Sequence, residues 1–212
     1  MKLLLTVCLT SALLYKAELL RCHTCANEMC SNSTSVECPA LSTACMTVTA
    51  VVGTGSSSSV TVNKNCSSLL SCITPINTET EWSVNQGFIR VALTQICCIT
   101  DNCNFQTLAT PSSLMNGKLC PACASSDDSL AGTCNATLSC VGVEDSCFSG
   151  NTTSNSTDVL QLGCISRNIC SNPIAMTALF GFNHKVTCGA PWSIQISAVL
   201  LAFALTVYKV LV

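Results

Sequence analysis

Nineteen cysteines in 212 residues constrain this chain more than any other feature. Cys8 stands alone near the start, and the other eighteen run from Cys22 to Cys188, an even number that permits complete pairing. Between the apolar ends, cysteine makes up about one residue in ten, the density of a disulfide scaffold. Aromatics are only 5% of the chain, too few to fill a large core. Stability must therefore come from staples, as in other small secreted domains. A disulfide closing a loop of about 20 residues contributes roughly 3 kcal/mol by restricting the unfolded chain.

The cysteines fall into two groups. The first holds Cys22, Cys25, Cys30, Cys38, Cys45, Cys66, Cys72, Cys97, Cys98 and Cys103; the second holds Cys120, Cys123, Cys134, Cys140, Cys147, Cys164, Cys170 and Cys188. Each opens on C-x-x-C and repeats one rhythm of short and long gaps, an internal duplication with a period of about 95 residues. Residues 105–118, rich in Thr, Pro, Ser, Asn and Gly, have the composition of a linker. The expected organisation is one module over 20–104, a linker over 105–118 and a second module over 119–188. Inside module one, residues 46–52 are β-branched, 53–59 read as a flexible Gly/Ser tip, and 60–63 return with alternation, which predicts a hairpin. Residues 88–96 predict a further strand. Module two repeats this weakly, with a hairpin over 148–163. No 3.6-residue period is sustained, so helix content is expected to be low.

The ends point to export. Lys2 followed by an apolar run from Leu3 to Leu14 has the form of a secretory signal, taken as 1–19 with cleavage within 17–20. Five N-x-[ST] sequons, at Asn32, Asn65, Asn135, Asn151 and Asn155, suit that route. Asn65 ranks last among them because cysteine occupies its middle position. The tail, 189–212, has small residues at Gly189 and Ala190, a spacer, and an apolar stretch, the pattern of a glycolipid-anchor signal. Attachment before Cys188 would strand Cys170, so Gly189 is the earliest site compatible with full pairing. The rival is a membrane span, but the uninterrupted apolar stretch from Ile194 is about 15 residues, below the roughly 18–20 that a spanning helix needs.

Composition also excludes function classes. Between Leu20 and Gly189 there are six Lys/Arg and ten Asp/Glu, a net charge of 6 − 10 = −4. With no basic stripe and no aromatic ladder, nucleic acid is not an expected partner. The two C-x-x-C pairs are followed by many more cysteines behind an export signal, so disulfides are favoured over zinc, and no metal or cofactor is expected. His23 and His184 read as solvated or strand residues. No G-x-S-x-G elbow, triad order or phosphate loop occurs. The acid pairs Glu79/Glu81, Asp127/Asp128 and Glu144/Asp145 read as solvated loop residues. Nothing points to an enzyme.

The segment Cys97-Cys98-Ile99-Thr100-Asp101-Asn102-Cys103-Asn104 and the opening Leu20-Arg21-Cys22-His23-Thr24-Cys25 resemble the close and start of a three-finger domain of the lymphocyte-antigen-six/urokinase-receptor family. The resemblance implies an all-β, disulfide-rich fold of two tandem three-finger (snake-toxin-like) domains. For module one it implies Cys22–Cys45, Cys25–Cys30, Cys38–Cys66, Cys72–Cys97 and Cys98–Cys103, with Asn104 hydrogen-bonded back into the knot. For module two it implies Cys120–Cys147, Cys123–Cys134, Cys140–Cys164 and Cys170–Cys188. Module two lacks the final Cys-x-x-x-x-Cys-Asn, so its third finger is expected to be less tightly held.

The function this implies is a receptor or adhesion-type binding glycoprotein, held on the outer leaflet of the plasma membrane and recognising an extracellular protein through its finger loops. The alternative is a soluble secreted inhibitor resembling the gamma-type phospholipase inhibitors; those lack an apolar tail, which this chain has. Contacts are expected to favour module one. Trp82 and Phe88 of its third finger are the candidate aromatic anchors, against the plainer reading that both cover the small core.

Overall fold

The computed structural model describes residues 19–189 apart from 26–27, 55–56, 155–156 and 183. The signal segment up to residue 18, the tail from 190 and Asn155 lie outside the described residues.

Module one is three hairpins: β1 (Arg21–Cys25) with β2 (Ser33–Glu37), β3 (Ala44–Thr54) with β4 (Ser57–Ser67), and β5 (Thr80–Asn85) with β6 (Ile89–Cys98). Module two begins with β7 (Met115–Ala122) and β8 (Ala136–Val141), with the short helix α1 (Ser126–Ala131) between them. Its second finger is β9 (Ser146–Ser154) with β10 (Thr157–Ile165). The chain then forms α2 (Arg167–Cys170), α3 (Pro173–Phe180) and β11 (Thr187–Gly189), which pairs with β9. Nine disulfides join the cysteines as Cys22–Cys45, Cys25–Cys30, Cys38–Cys66, Cys72–Cys97, Cys98–Cys103, Cys120–Cys147, Cys123–Cys134, Cys140–Cys164 and Cys170–Cys188.

The two modules share one seven-stranded sheet in the order β11-β9-β10-β5-β6-β3-β4. The seam is β10 on β5, with Cys164 opposite Asn85 and Ile165 opposite Val84. It extends through Ser166 N–H to the Ser83 carbonyl at 2.9 Å and Ser83 N–H to Ser166 Oγ at 3.1 Å. Gly163 permits this approach, because a Cβ there would sit 1.9 Å from the Asn85 carbonyl oxygen.

Among the described residues, the apolar clusters confined to one module are built on its cystines. Cys22, Cys38, Cys45 and Cys98 form one cluster and Cys120, Cys140, Cys147 and Cys164 another. The largest apolar cluster spans the seam: Trp82 and Val84 of β5 pack with Phe148, Ile165, Ile169, Ala175, Met176 and Val186 of module two. Stapled knots thus supply the frame, and the shared core supplies the apolar burial.

Several expectations are corrected. The finger-two tip of module one is not a loose 53–59 loop: the ladder runs out to Gly53↔Ser58 and Thr54↔Ser57, and β6 supports β3 as far as Thr54↔Ile89. The tip of module two is likewise paired to Ser154↔Thr157. Residues 105–118 are no free linker. Asn104 and Leu108 are buried, and the strip is held across one face of β3 and β4. There Thr47 Oγ1 donates to the Asn104 carbonyl (3.2 Å), Thr49 Oγ1 to Leu108 (3.0 Å) and Lys64 Nζ to Phe105 (2.6 Å). β7 already begins at Met115, inside the expected linker. Nor is the third finger of module two loose: it turns helical and places Ile169, Ala175 and Met176 in the shared core.

Candidate binding surface

The strand β5, Thr80-Glu81-Trp82-Ser83-Val84-Asn85, alternates apolar and polar residues as a half-exposed strand would. Yet its last four residues are all buried. Alternation sends Trp82 and Val84 to one face and Ser83 and Asn85 to the other, and module two covers both. On the apolar face stand α2, α3 and Phe148. On the polar face stands Glu144, fully buried. Its Oε1 accepts from Ser83 Oγ at 2.7 Å and Arg90 Nε at 2.8 Å; its Oε2 accepts from Asn85 Nδ2 at 3.3 Å and Val141 N at 3.0 Å. Arg90 Nη2 also donates to the Ser112 carbonyl at 2.8 Å. A buried carboxylate is tolerated only when paired and hydrogen-bonded in this way. The reading of Glu144 as a solvated loop residue is overturned, because the β9 entry carries it beneath module one.

Trp82 is therefore corrected as a contact residue. Its ring is 8% exposed and belongs to the shared core, so it is not offered to a partner. Phe88 is half-buried in the β5–β6 turn, which the Gln86 N–H to Ile89 carbonyl bond closes. That turn is itself docked: Gln86 Nε2 donates to Gln161 Oε1, and a Cβ on Gly87 would lie 2.7 Å from the Cys123 carbonyl oxygen. The third finger of module one is consumed in holding module two. Fingers one and two remain outside the seam.

Beside the seam opens a cleft of about 370 Å³, with Val51, Ser58 and Val60 of finger two on one wall, Pro111 of the connecting strip, and Leu138 of module two on the other. Asn85 and Arg90, fixed by Glu144, line it as well. Both modules and the strip contribute, so the shape depends on the seam and is set before any partner arrives.

Of the sequons, Asn32, Asn135 and Asn151 are exposed. Asn65 is half-buried, and its Oδ1 is enclosed with no hydrogen-bond partner among the described residues. Two sulfur triads, Cys22/Cys38/Cys66 and Cys120/Cys140/Cys164, are close enough to suggest metal ligation. Every one of those sulfurs is committed to a disulfide, and a metal ligand would have to be a thiolate. His23 Nδ1 is enclosed without a partner, whereas His184 Nδ1 accepts from Val186 N–H at 3.4 Å. Gly189 is exposed and ends β11.

The family model of the u-PAR/Ly-6 domain matches residues 18–106 and again 116–192. No curated protein matches the chain. Among the described residues, no helix is long and apolar enough to cross a membrane.

Proposed function

Because the chain belongs to the u-PAR/Ly-6 domain family, whose domains are extracellular and typically of the binding or receptor kind, we propose that it is a glycolipid-anchored surface glycoprotein. It binds an extracellular protein through fingers one and two of module one and the adjoining cleft. The observation that carries this reading is the docking of finger three. Module two occupies both faces of β5, which leaves the other two fingers and a preformed concavity as the free recognition surface. Of the exposed sequons, Asn135 and Asn151 lie on module two and Asn32 adjoins β2 on finger one, so the cleft wall formed by Ser58 and Val60 of finger two stays open. The apolar tail after Gly189 supports attachment and counts against a freely secreted inhibitor.

Two experiments test it. The secreted two-module ectodomain, used for proximity labelling on live cells, should capture a partner that Ser58→Arg abolishes by filling the cleft. Capture unchanged by that substitution, with folding intact, would remove the cleft from the reading. For the anchor, a phosphatidylinositol-cleaving phospholipase should move the protein from the detergent phase to the aqueous phase. Retention in the detergent phase would count against the glycolipid.

A further inference from the structure

The helix α3 is apolar on every side. Its sequence, Pro-Ile-Ala-Met-Thr-Ala-Leu-Phe, has Thr177 as its single polar side chain. The inner side is accounted for: Ala175 and Met176 are buried in the shared core, and Leu179 and Phe180 pack against it. The outer side is not. Ile174 is 67% exposed, and Ala178, also exposed, follows it one helical turn on; Phe182, 94% exposed and just past the Gly181 cap, lines the same shallow groove. A helix at a protein–water boundary keeps polar residues outward; one that is apolar all round is normally covered.

What covers it follows from where the chain leaves the fold. Cys188 is bonded to Cys170, with Cα atoms 5.9 Å apart. Two residues on, Asn172 caps α3 by accepting from Ile174 N–H at 3.0 Å and Ala175 N–H at 3.2 Å. The exit at Gly189, which leads to the apolar stretch beginning near Ile194, is thus stapled beside the start of this outer face. The face, lined by Pro173, Ile174, Thr177, Ala178 and Phe182, carries no charged side chain. An uncharged apolar strip next to a membrane anchor is placed to settle at the headgroup boundary of a bilayer.

We propose that the outer face of α3, through Ile174, Ala178 and Phe182, rests on the outer leaflet as a second point of membrane attachment; this rests on the reading of 189–212 as a membrane anchor. A lipid anchor leaves the protein free to tilt, and a second apolar contact beside it fixes orientation. The orientation has a consequence for recognition. β11 and β4 are opposite edges of the seven-stranded sheet, so with strands about 4.8 Å apart, β4 stands on the order of 29 Å from β11. Module two faces the lipid, and fingers one and two of module one face outward.

The test uses the full anchored protein in phosphatidylcholine vesicles, with flotation read alongside tryptophan emission. In vesicles whose acyl chains are brominated, the emission that F182W adds over the parent protein, which already carries Trp82 and Trp192, should be largely lost relative to ordinary vesicles. The L41W protein, altered at a 90% exposed site on module one, should not change. I174W repeats the reading at the other end of the face. Flotation with F182W and I174W unquenched would overturn the proposal and leave the anchor intact. Failure to float would overturn both. Cross-linking between copies through position 182, without quenching, would give the face to a second copy and overturn the proposal.

Discussion

The two modules are built to one plan but close in different ways. Module one closes on itself. Asn104, fully buried, accepts from His23 N–H at 2.9 Å and donates to the carbonyls of His23 at 2.9 Å and Met46 at 3.1 Å. Asp101 accepts from Arg21 N–H at 2.9 Å, so the closing loop grips β1 at two points. Module two has no counterpart to Cys98–Cys103 or to Asn104, and it closes on its neighbour. Its carboxylate Glu144 is satisfied by Ser83, Asn85 and Arg90 of module one, and its helical third finger packs on Trp82. A lost staple has been replaced by another module's strand. Module one should therefore be the more self-sufficient unit, and module two the dependent one.

The largest test of that asymmetry is Trp82→Ala. The residue belongs to module one, but the ring fills the shared cluster, and truncation should cost about 3–5 kcal/mol. The melting temperature should fall by roughly 6–20 °C. Hydrogen exchange should accelerate in β10, α3 and β11 while β3 and β4 keep their protection. Equal loss in both modules would break the comparison. Next comes Glu144→Gln, which leaves Arg90 partly buried without its counter-charge and should destabilise by about 3 kcal/mol. The double variant with Arg90→Met should be less unstable than Glu144→Gln alone, since no buried charge then stands unpaired. Urea unfolding of the four proteins gives the coupling.

These effects lie where sequence reading reached least. The two cysteine groups and the finger-two hairpins were legible because a cysteine rhythm and β-branched runs are local patterns; the cystine pairing and the three-finger fold were legible only through the resemblance carried by residues 20–25 and 97–104. Residues 80–85 drew no strand prediction, and nothing local distinguishes Ser83 and Asn85 facing water from Ser83 and Asn85 facing Glu144. Glu144 carried no signal at all: an acid beside a second acid reads as a loop, and only the seam, which brings it to Arg90 more than fifty residues away in sequence, gives it partners. Trp82 was misread for the same reason, because an aromatic near a fingertip is a fair anchor until another module is placed over it. The linker was misread because small polar residues suit a strip on a polar sheet face as well as they suit solvent.

Asn104→Ala is the converse of the first two tests and smaller. It leaves the backbone groups of His23 and Met46 without partners, at a cost of about 1–3 kcal/mol. The loss should appear as faster exchange at β1 and in the 98–104 loop, with α3 and the β10 seam unaffected. A change at the seam would mean that module one is not closed independently.

The smallest expected effect concerns the strip that joins the modules. Lys64, on β4, is 5% exposed and donates to the Phe105 carbonyl, and burial pushes its ammonium below the ordinary lysine range. The unfolded chain keeps that proton up to the usual lysine pKa of 10.5, whereas the folded protein releases it at a lower pH. In the window between the two, the unfolded state binds more protons, so this group makes stability rise with pH there. Well below that window the lysine is charged in both states and the burial penalty is borne in full. Lys64→Met should flatten that rise in denaturant midpoints measured from neutral pH toward pH 10.5. The midpoint should change by the same amount whether unfolding is followed by exchange in β3 or at the strip, because both are parts of module one. If only the strip responded, residues 105–112 would belong to neither module, and the boundary drawn here between a closed module and a dependent one would have to move.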